Sequence, residues 1–258
     1  MEARSKVASC AAIKGSLIEE TYAVFRGWDY AASKTDNLKR ARQENTIGAK
    51  SASWAQNVSW AVSRRFDPAG RDRPLVELAK SGGDREVWKP LLLYHLTRDE
   101  FLVRDFLVNW LYPQFTAGAY RMRAADVMPY LQGLTKKKGI DWSGHWSEST
   151  SERVASGLLR IAADFGLLQG LQAREFASYH LPEQSFLYLL HVMMEREVNA
   201  RRVIDADDWR MYLMAPSDVE RELLRLHQFR KLHFEVAGSL AQLKLPAASA
   251  ADYAKELC

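Results

Sequence analysis

Apolar residues recur along most of the chain at intervals of three and four, the spacing that gathers them on one side of an α-helix. Over Leu17–Trp28, the positions Leu17, Ile18, Thr21, Tyr22 and Phe25 share such a stripe. Thr35–Glu44 reads as a short polar, basic helix. Ser51–Phe66 then sets Trp54, Val58, Val62 and Phe66 four residues apart, before Asp67-Pro68-Ala69-Gly70 stops the helix. Pro74–Lys80 and Asp84–Leu96 follow, parted by Gly82-Gly83. Arg98–Phe115, with Phe101, Leu102, Phe106, Leu107, Trp110 and Leu111, predicts one central core helix.

Ala124–Lys136 predicts another amphipathic helix, closed by Lys136-Lys137-Lys138-Gly139, where cations suit the negative end of the dipole. Ser149 and Glu152 have the spacing of a capping box, and the helix they open carries Val154, Leu158, Ile161, Ala162 and Phe165 up to Gly166. Arg174–His180 fits one arm of a short hairpin. A long helix is expected from Pro182 to about Arg201, and a further one starts at Ser217-Asp218-Val219-Glu220 and runs through Leu226. Leu232-His233-Phe234-Glu235-Val236 reads as a strand, with Gly238-Ser239 as its turn. No repeat of fixed period occurs. The pattern therefore predicts an all-α, mainly helical fold in two lobes with a small hairpin. The soft boundary at Gly139–Ser149 divides a basic N-terminal lobe, 1–139, from a C-terminal lobe, 140–258.

Composition adds limits. A chain of 258 residues, 47% hydrophobic and 26% charged, can bury a sizeable core. Two cysteines, Cys10 and Cys258, make no disulfide framework, so a reducing compartment is expected. No stretch approaches the ~18 consecutive apolar residues of a membrane span, and Val7–Ile13 is too weakly apolar for a signal sequence, so the cytosol is the expected address.

Charge changes the picture more. Residues 1–150 hold 23 Lys and Arg against 17 Asp and Glu, while residues 151–258 hold 13 against 15. The richest stretch, Lys34 to Arg73, has 9 basic residues against 4 acidic ones. Such an excess favours an anionic partner, most often nucleic acid. The candidate contacts are Lys39, Arg40, Arg42 and Lys50, then Arg64, Arg65, Arg71 and Arg73, then Lys136, Lys137 and Lys138, with Arg153 further on. Each cluster also suits a solvated helix face or helix end, and only convergence on one surface would make a site.

Catalytic chemistry finds no foothold. The six histidines, His95, His145, His180, His191, His227 and His233, form no paired zinc motif, and no Cys-x-x-Cys, phosphate loop or dinucleotide fingerprint occurs. His95 and His191 lie in apolar helices as core residues would. Glu235 lacks the neighbouring Lys of a metal-dependent nuclease, and Asp207-Asp208 more simply begins a helix. No catalytic residue, metal or cofactor is assigned. The Ser149–Leu168 helix followed by a hairpin also fits a winged helix-turn-helix, with Ser151, Arg153, Ser156 and Arg160 outward. No short positioning helix is evident beside it and the region is net negative, so a packing element is favoured.

Several blocks, in order, resemble one family. They are Lys14-Gly15-Ser16-Leu17 leading into Glu19-Glu20, then Ser51 through Arg64-Arg65-Phe66, then Trp146-Ser147-Glu148-Ser149-Thr150. Leu158-Leu159-Arg160, Phe165-Gly166-Leu167-Leu168 and the tail Val219–Pro246 complete the set. Together they are similar to the BrxA family, an accessory component of bacterial BREX phage-defence systems. The resemblance implies a small all-helical protein without catalytic activity, encoded beside a methyltransferase and an ATPase, that binds double-stranded DNA. It carries no residue-by-residue motif for DNA contact, so the basic positions rest on charge alone. The expected role is a DNA-binding accessory factor of phage restriction. The alternative is a scaffold that assembles the other BREX proteins, with Trp28, Trp60 and Trp88 as candidate anchors.

Overall fold

The helices form where the periodicity predicts them, and their ends are set by local hydrogen bonding. A computed structural model describes residues 7–134, 146–238 and 240–258. In chain order come α1 (Cys10–Lys14), α2 (Ile18–Arg26), α3 (Lys34–Gln43), α4 (Ala52–Arg65), α5 (Arg73–Lys80) and α6 (Arg85–Asp99). Next are α7 (Phe101–Phe106), a π turn (Leu107–Leu111), α8 (Tyr112–Thr116), α9 (Ala124–Leu134) and α10 (Glu148–Asp164). Strands β1 (Leu168–Gln169) and β2 (Glu175–Phe176) precede α11 (Glu183–Met194), α12 (Ala200–Ile204), a 3-10 turn (Asp207–Tyr212) and α13 (Pro216–Gln228). Strands β3 (His233–Ala237) and β4 (Leu240–Lys244) and helix α14 (Ala250–Glu256) complete the order, and the fold is all-α in class.

Several boundaries differ from the periodic pattern for identifiable reasons. The expected Arg98–Phe115 helix is interrupted at Glu100, whose φ of −107° and ψ of 75° leave helical geometry. It then widens into the π turn just before Pro113, which has no N–H to bond backwards. The cap of α10 is Ser147, whose hydroxyl accepts from the Thr150 N–H, so Ser149 and Glu152 lie inside the helix rather than forming its box. The long helix expected over Pro182–Arg201 ends at Met194, and Asn199 opens α12 by accepting from the N–H groups of Arg201 and Arg202. The expected helix end at Lys136–Gly139 lies outside the described residues.

The chain divides into two compact units, each assembled from three separate stretches. One comprises Met1–Ile18, His95–His180 and Arg210–Leu213; the other comprises Glu19–Tyr94, Leu181–Trp209 and Met214–Cys258. Each therefore draws on residues from both sides of the 139/140 division suggested by composition.

In the first unit, α9 and α1 both pack on α10. Gly157 permits the second approach, because a Cβ there would lie 2.0 Å from the Ala12 carbonyl oxygen. Phe106 stacks on Trp110 with ring centroids 5.1 Å apart, and Tyr130 of α9 donates to Asp105 Oδ2 at 2.7 Å. Phe115 of α8 meets Phe176 of β2 edge to face at 5.2 Å. Strands β1 and β2 are antiparallel, Leu168 facing Phe176 and Gln169 facing Glu175. The sheet has a further member: Met122 forms an antiparallel bridge with Arg174, its N–H donating to the Arg174 carbonyl at 2.8 Å and its carbonyl accepting from the Arg174 N–H at 2.9 Å. Helix α8, the Met122 bridge, α9, α10, β1 and β2 thus follow one another as helix, strand, helix, helix, strand, strand. The last strand's line of chain is paired on both sides. That is the order and pairing of a winged helix. Helix α9 stands in the positioning place for which the periodic pattern offered no candidate.

The second unit is built on aromatic packing among α2, α4 and α6. Phe25 is fully buried and meets Trp28, Phe66 and Trp88 edge to face. Trp88 Nε1 donates to the Leu75 carbonyl at 2.9 Å, which ties α6 to α5. Helix α14 packs on α5 and α11. There His191 lies 4.9 Å from Tyr253 in a stack, with Nδ1 2.7 Å from the Leu187 carbonyl and Nε2 accepting from the Ala247 N–H. His95 of the first unit and His191 are both buried, 3% and 2% exposed, as core histidines are. Strands β3 and β4 form an antiparallel hairpin turned at Gly238, whose φ of 63° suits glycine.

Candidate nucleic-acid interface

Helix ends explain much of the local chemistry in the second unit. Ser33 caps α3, its hydroxyl accepting from the Asp36 N–H. That start points Lys34 at the end of α4, where its Nζ donates to the carbonyls of Ser63 and Phe66 at 2.7 and 2.6 Å. Carbonyls at a helix C-terminus lack intrahelical partners and carry negative potential, so an ammonium is favoured there. Burial lowers the Lys34 pKa from its ordinary value, Asp67 and Asp72 raise it, and Arg71 lowers it further.

The loop between α2 and α3 meets the start of α5 at Tyr30. The Arg73 guanidinium lies 4.7 Å from the Tyr30 ring centre and Lys80 Nζ lies 5.1 Å from it, while Lys80 also donates to the Trp28 carbonyl at 2.6 Å. Burial, followed by the charge of Glu77, pushes the Tyr30 phenol pKa upward. Arg64 projects from the same last turn of α4 that Lys34 caps, exposed, its guanidinium 5.6 Å from the Trp60 ring. Lys34 and Arg64 thus stand at the end of α4, Arg71 lies on the connection that follows, and Arg73 and Lys80 meet on the Tyr30 ring. Asp67, Asp72 and Glu77 offset part of their charge, with Arg73 paired to Glu77 at 3.2 Å.

The remaining sequence candidates divide sharply. Lys39 and Lys50 are exposed. Arg40 is committed to the fold: it donates to the Gly27 carbonyl at 2.7 Å and to Asn37 Oδ1 at 2.8 Å, with Asp29 3.7 Å away. Arg42 donates to Gln56 across the α3–α4 pair. Arg65 is 1% exposed, which corrects its assignment as a phosphate contact, since the same face that carries Val58 and Val62 takes it inward. Arg153 is exposed on α10, in the first unit. Lys136, Lys137 and Lys138 lie outside the described residues. Among the tryptophans, Trp28 and Trp88 are buried at 2% and 1%, so they serve the core rather than an interface, whereas Trp60 is 48% exposed.

Lys34 and Lys80 were missed as members of the cluster. Both stand at helix termini, and nothing in local spacing says that separate termini meet. Among the described residues, no group of three or more His, Cys, Asp or Glu could hold a metal ion, and no helix is long and apolar enough to cross a membrane.

The architecture is that of a mainly helical protein with two small antiparallel sheets, whose second unit places cations at its helix ends. Its residues 10–191 match the model of the BrxA family, and the chain belongs to that family, which makes it a BREX-associated protein. No curated protein matches the chain.

Proposed function

We propose that the protein binds duplex DNA as a non-enzymatic accessory component of a BREX phage-resistance system, holding the duplex mainly through its phosphates. The observation that supports this reading is the succession of cations on adjoining helix ends, Lys34 and Arg64 at the end of α4 and Arg73 and Lys80 together on Tyr30. Lysine and arginine heads that neutralise phosphates release condensed counterions, so affinity falls steeply with salt. Titrating labelled duplex across a salt series tests it. The log–log slope is expected near −0.9 for each phosphate contacted, hence about −4 if most of the cluster engages. Absence of binding at low salt sinks the proposal.

A second reading, a scaffold that gathers other BREX proteins, draws on exposed aromatic residues. Phe229 is 65% exposed with the Arg225 guanidinium 5.7 Å from its ring centre, and Trp60 stands out beside Arg64. Aromatic and Arg side chains of this kind anchor protein interfaces. Copurification of a BREX partner after nuclease treatment, lost on Phe229→Ala, would favour the scaffold.

A further inference from the structure

The outer side of α13, in the second unit, combines features that the fold does not require. Val219, Leu223 and Leu226 are buried, while Arg221, Leu224 and Gln228 are exposed. Their spacing of three and four keeps the exposed set on one line of the helix. Leu224 is 48% exposed, and Phe229 stands at the end of the line at 65%. An open groove bounded by Ser217, Leu224, Arg225 and Gln228 follows this line. A second, bounded by His227, Arg230, Leu232 and His233, adjoins it through Gln228. Together they lead from the first turn of α13 to the start of β3, and the helical part covers about 16 Å, or three turns.

Arg230 sets this groove apart from a solvated helix face. Helix α13 ends in a Schellman motif: the Lys231 N–H donates to the Leu226 carbonyl and the Arg230 N–H to the His227 carbonyl, each at 3.0 Å. The motif holds Arg230 in the left-handed region, with φ of 59°, where glycine is the usual residue. The backbone therefore closes the helix end without any side chain, and an arginine there costs stability. Its guanidinium has no hydrogen bond or ion pair among the described residues. The neighbouring arginines differ. Arg221 pairs with Asp218, and Arg225 with Glu222 at 2.6 Å and Glu183 at 2.9 Å. Glu220, on the same face, lies 3.2 Å from Arg201. The paired charges cancel, which leaves the Arg230 guanidinium open to a carboxylate from outside.

We infer that this groove docks an acidic amphipathic helix of a partner protein, its apolar face seated on Leu224 and Phe229 and a carboxylate held by Arg230. This rests on the scaffold reading and names the surface and the kind of segment it takes. A small molecule binds by enclosure, which an open groove of exposed residues does not provide. A duplex is held by cations free to neutralise phosphates, and Arg221 and Arg225 are already paired. An amphipathic helix lays apolar anchors at i, i+3, i+4 and i+7 into such a groove, and three turns match its length. A carboxylate on a guanidinium forms two parallel charge-assisted hydrogen bonds, so acidic segments are selected over basic ones.

Selection from a displayed library of random peptides, each about three helical turns long, tests this on the full chain. The expected winners carry Asp or Glu beside a face of Leu or Phe. In fluorescence anisotropy with a selected peptide, Leu224→Asp is expected to weaken binding about 10-fold or more. Arg230→Glu is expected to switch the selected charge from acidic to basic. Arg230→Gly separates binding from folding. It relieves the left-handed backbone, so Tm should hold or rise, while the preference for the acidic peptide over its Asn and Gln counterpart falls about 10-fold. Peptides with no carboxylate preference, or affinities that Leu224→Asp and Arg230→Gly leave unchanged, overturn the inference. So does displacement of the peptide by duplex DNA with equal loss of duplex affinity on Leu224→Asp, which would assign the groove to nucleic acid. A BREX protein that still copurifies with Leu224→Asp and Arg230→Glu overturns the groove and leaves the scaffold reading standing. No selected peptide and no copurifying partner overturns both.

Discussion

The two units differ in what builds their charged outer faces. In the second unit, cations sit at helix ends, and Lys34 and Lys80 spend donors on backbone carbonyls there. In the first unit, the exposed Glu152, Arg153, Ser156 and Arg160 of α10 spend almost nothing on the fold, and the helix is placed by the packing of α1 and α9 behind it. Charge density marks the one surface and topology the other.

The largest perturbation should come from the packing behind α10. Gly157→Val puts side-chain atoms into the Ala12 backbone, so it is expected to cost about 3 kcal/mol or more in denaturant unfolding. A variant as stable as the parent would mean that α1 does not support α10. Next in size, the double variant Arg71→Glu, Arg73→Glu should weaken binding about 10- to 100-fold at low salt for every sequence alike and flatten the salt slope by about 2. An equal loss from reversing Arg153 alone would erase the contrast between the two surfaces. Smaller again, Ser147→Ala should destabilise by about 1 kcal/mol through loss of the α10 cap, while Ser149→Ala stays within about 0.5 kcal/mol.

The gentlest comparison uses alkali. Burial first, then the charges of Glu183 and Glu256, push the Tyr253 phenol of the second unit up to about 12. Burial, then Asp105, pushes Tyr130 of the first unit higher still. A raised phenol means that folding favours the neutral form, so its stabilisation is complete below pH ~10 and drains away as pH climbs through the folded value. Tyrosinate absorbance in a pH titration should rise with loss of the second unit's structure above about 10, and Tyr253→Phe should diminish that step, leaving the share due to the raised Tyr30 phenol. A step that survives the substitution assigns it elsewhere.

Much of the fold was legible because amphipathic periodicity is a local property. The stripe of Val58, Val62 and Phe66 is buried as its spacing requires. Reading failed where distant contacts decide. A single bridge between Met122 and Arg174 completes the winged-helix sheet, and one pair of residues leaves no pattern in a sequence. Helix α9 escaped notice as a positioning helix because 13 residues, not a short turn, separate Leu134 from Glu148. Spacing could not distinguish Arg64 from Arg65: adjacent on a helix, they point about 100° apart, and one is exposed while the other is buried. Ser147 and Ser149 compete as caps within one serine-rich turn, and only backbone geometry chooses between them.

The interleaving of the two units has a consequence for how the protein is made. The first unit draws on Arg210–Leu213, and in the second α5 rests against α14, a helix about 170 residues downstream. During synthesis, an emerging chain has its early helices long before it has their partners, so neither unit can close until most of the polypeptide has left the ribosome. Apolar faces of α4, α5 and α6 must wait in the open through that interval. Slow elongation would lengthen the wait instead of helping, and expression of residues 1–139 alone is expected to yield an aggregating fragment, visible as pelleted material on centrifugation.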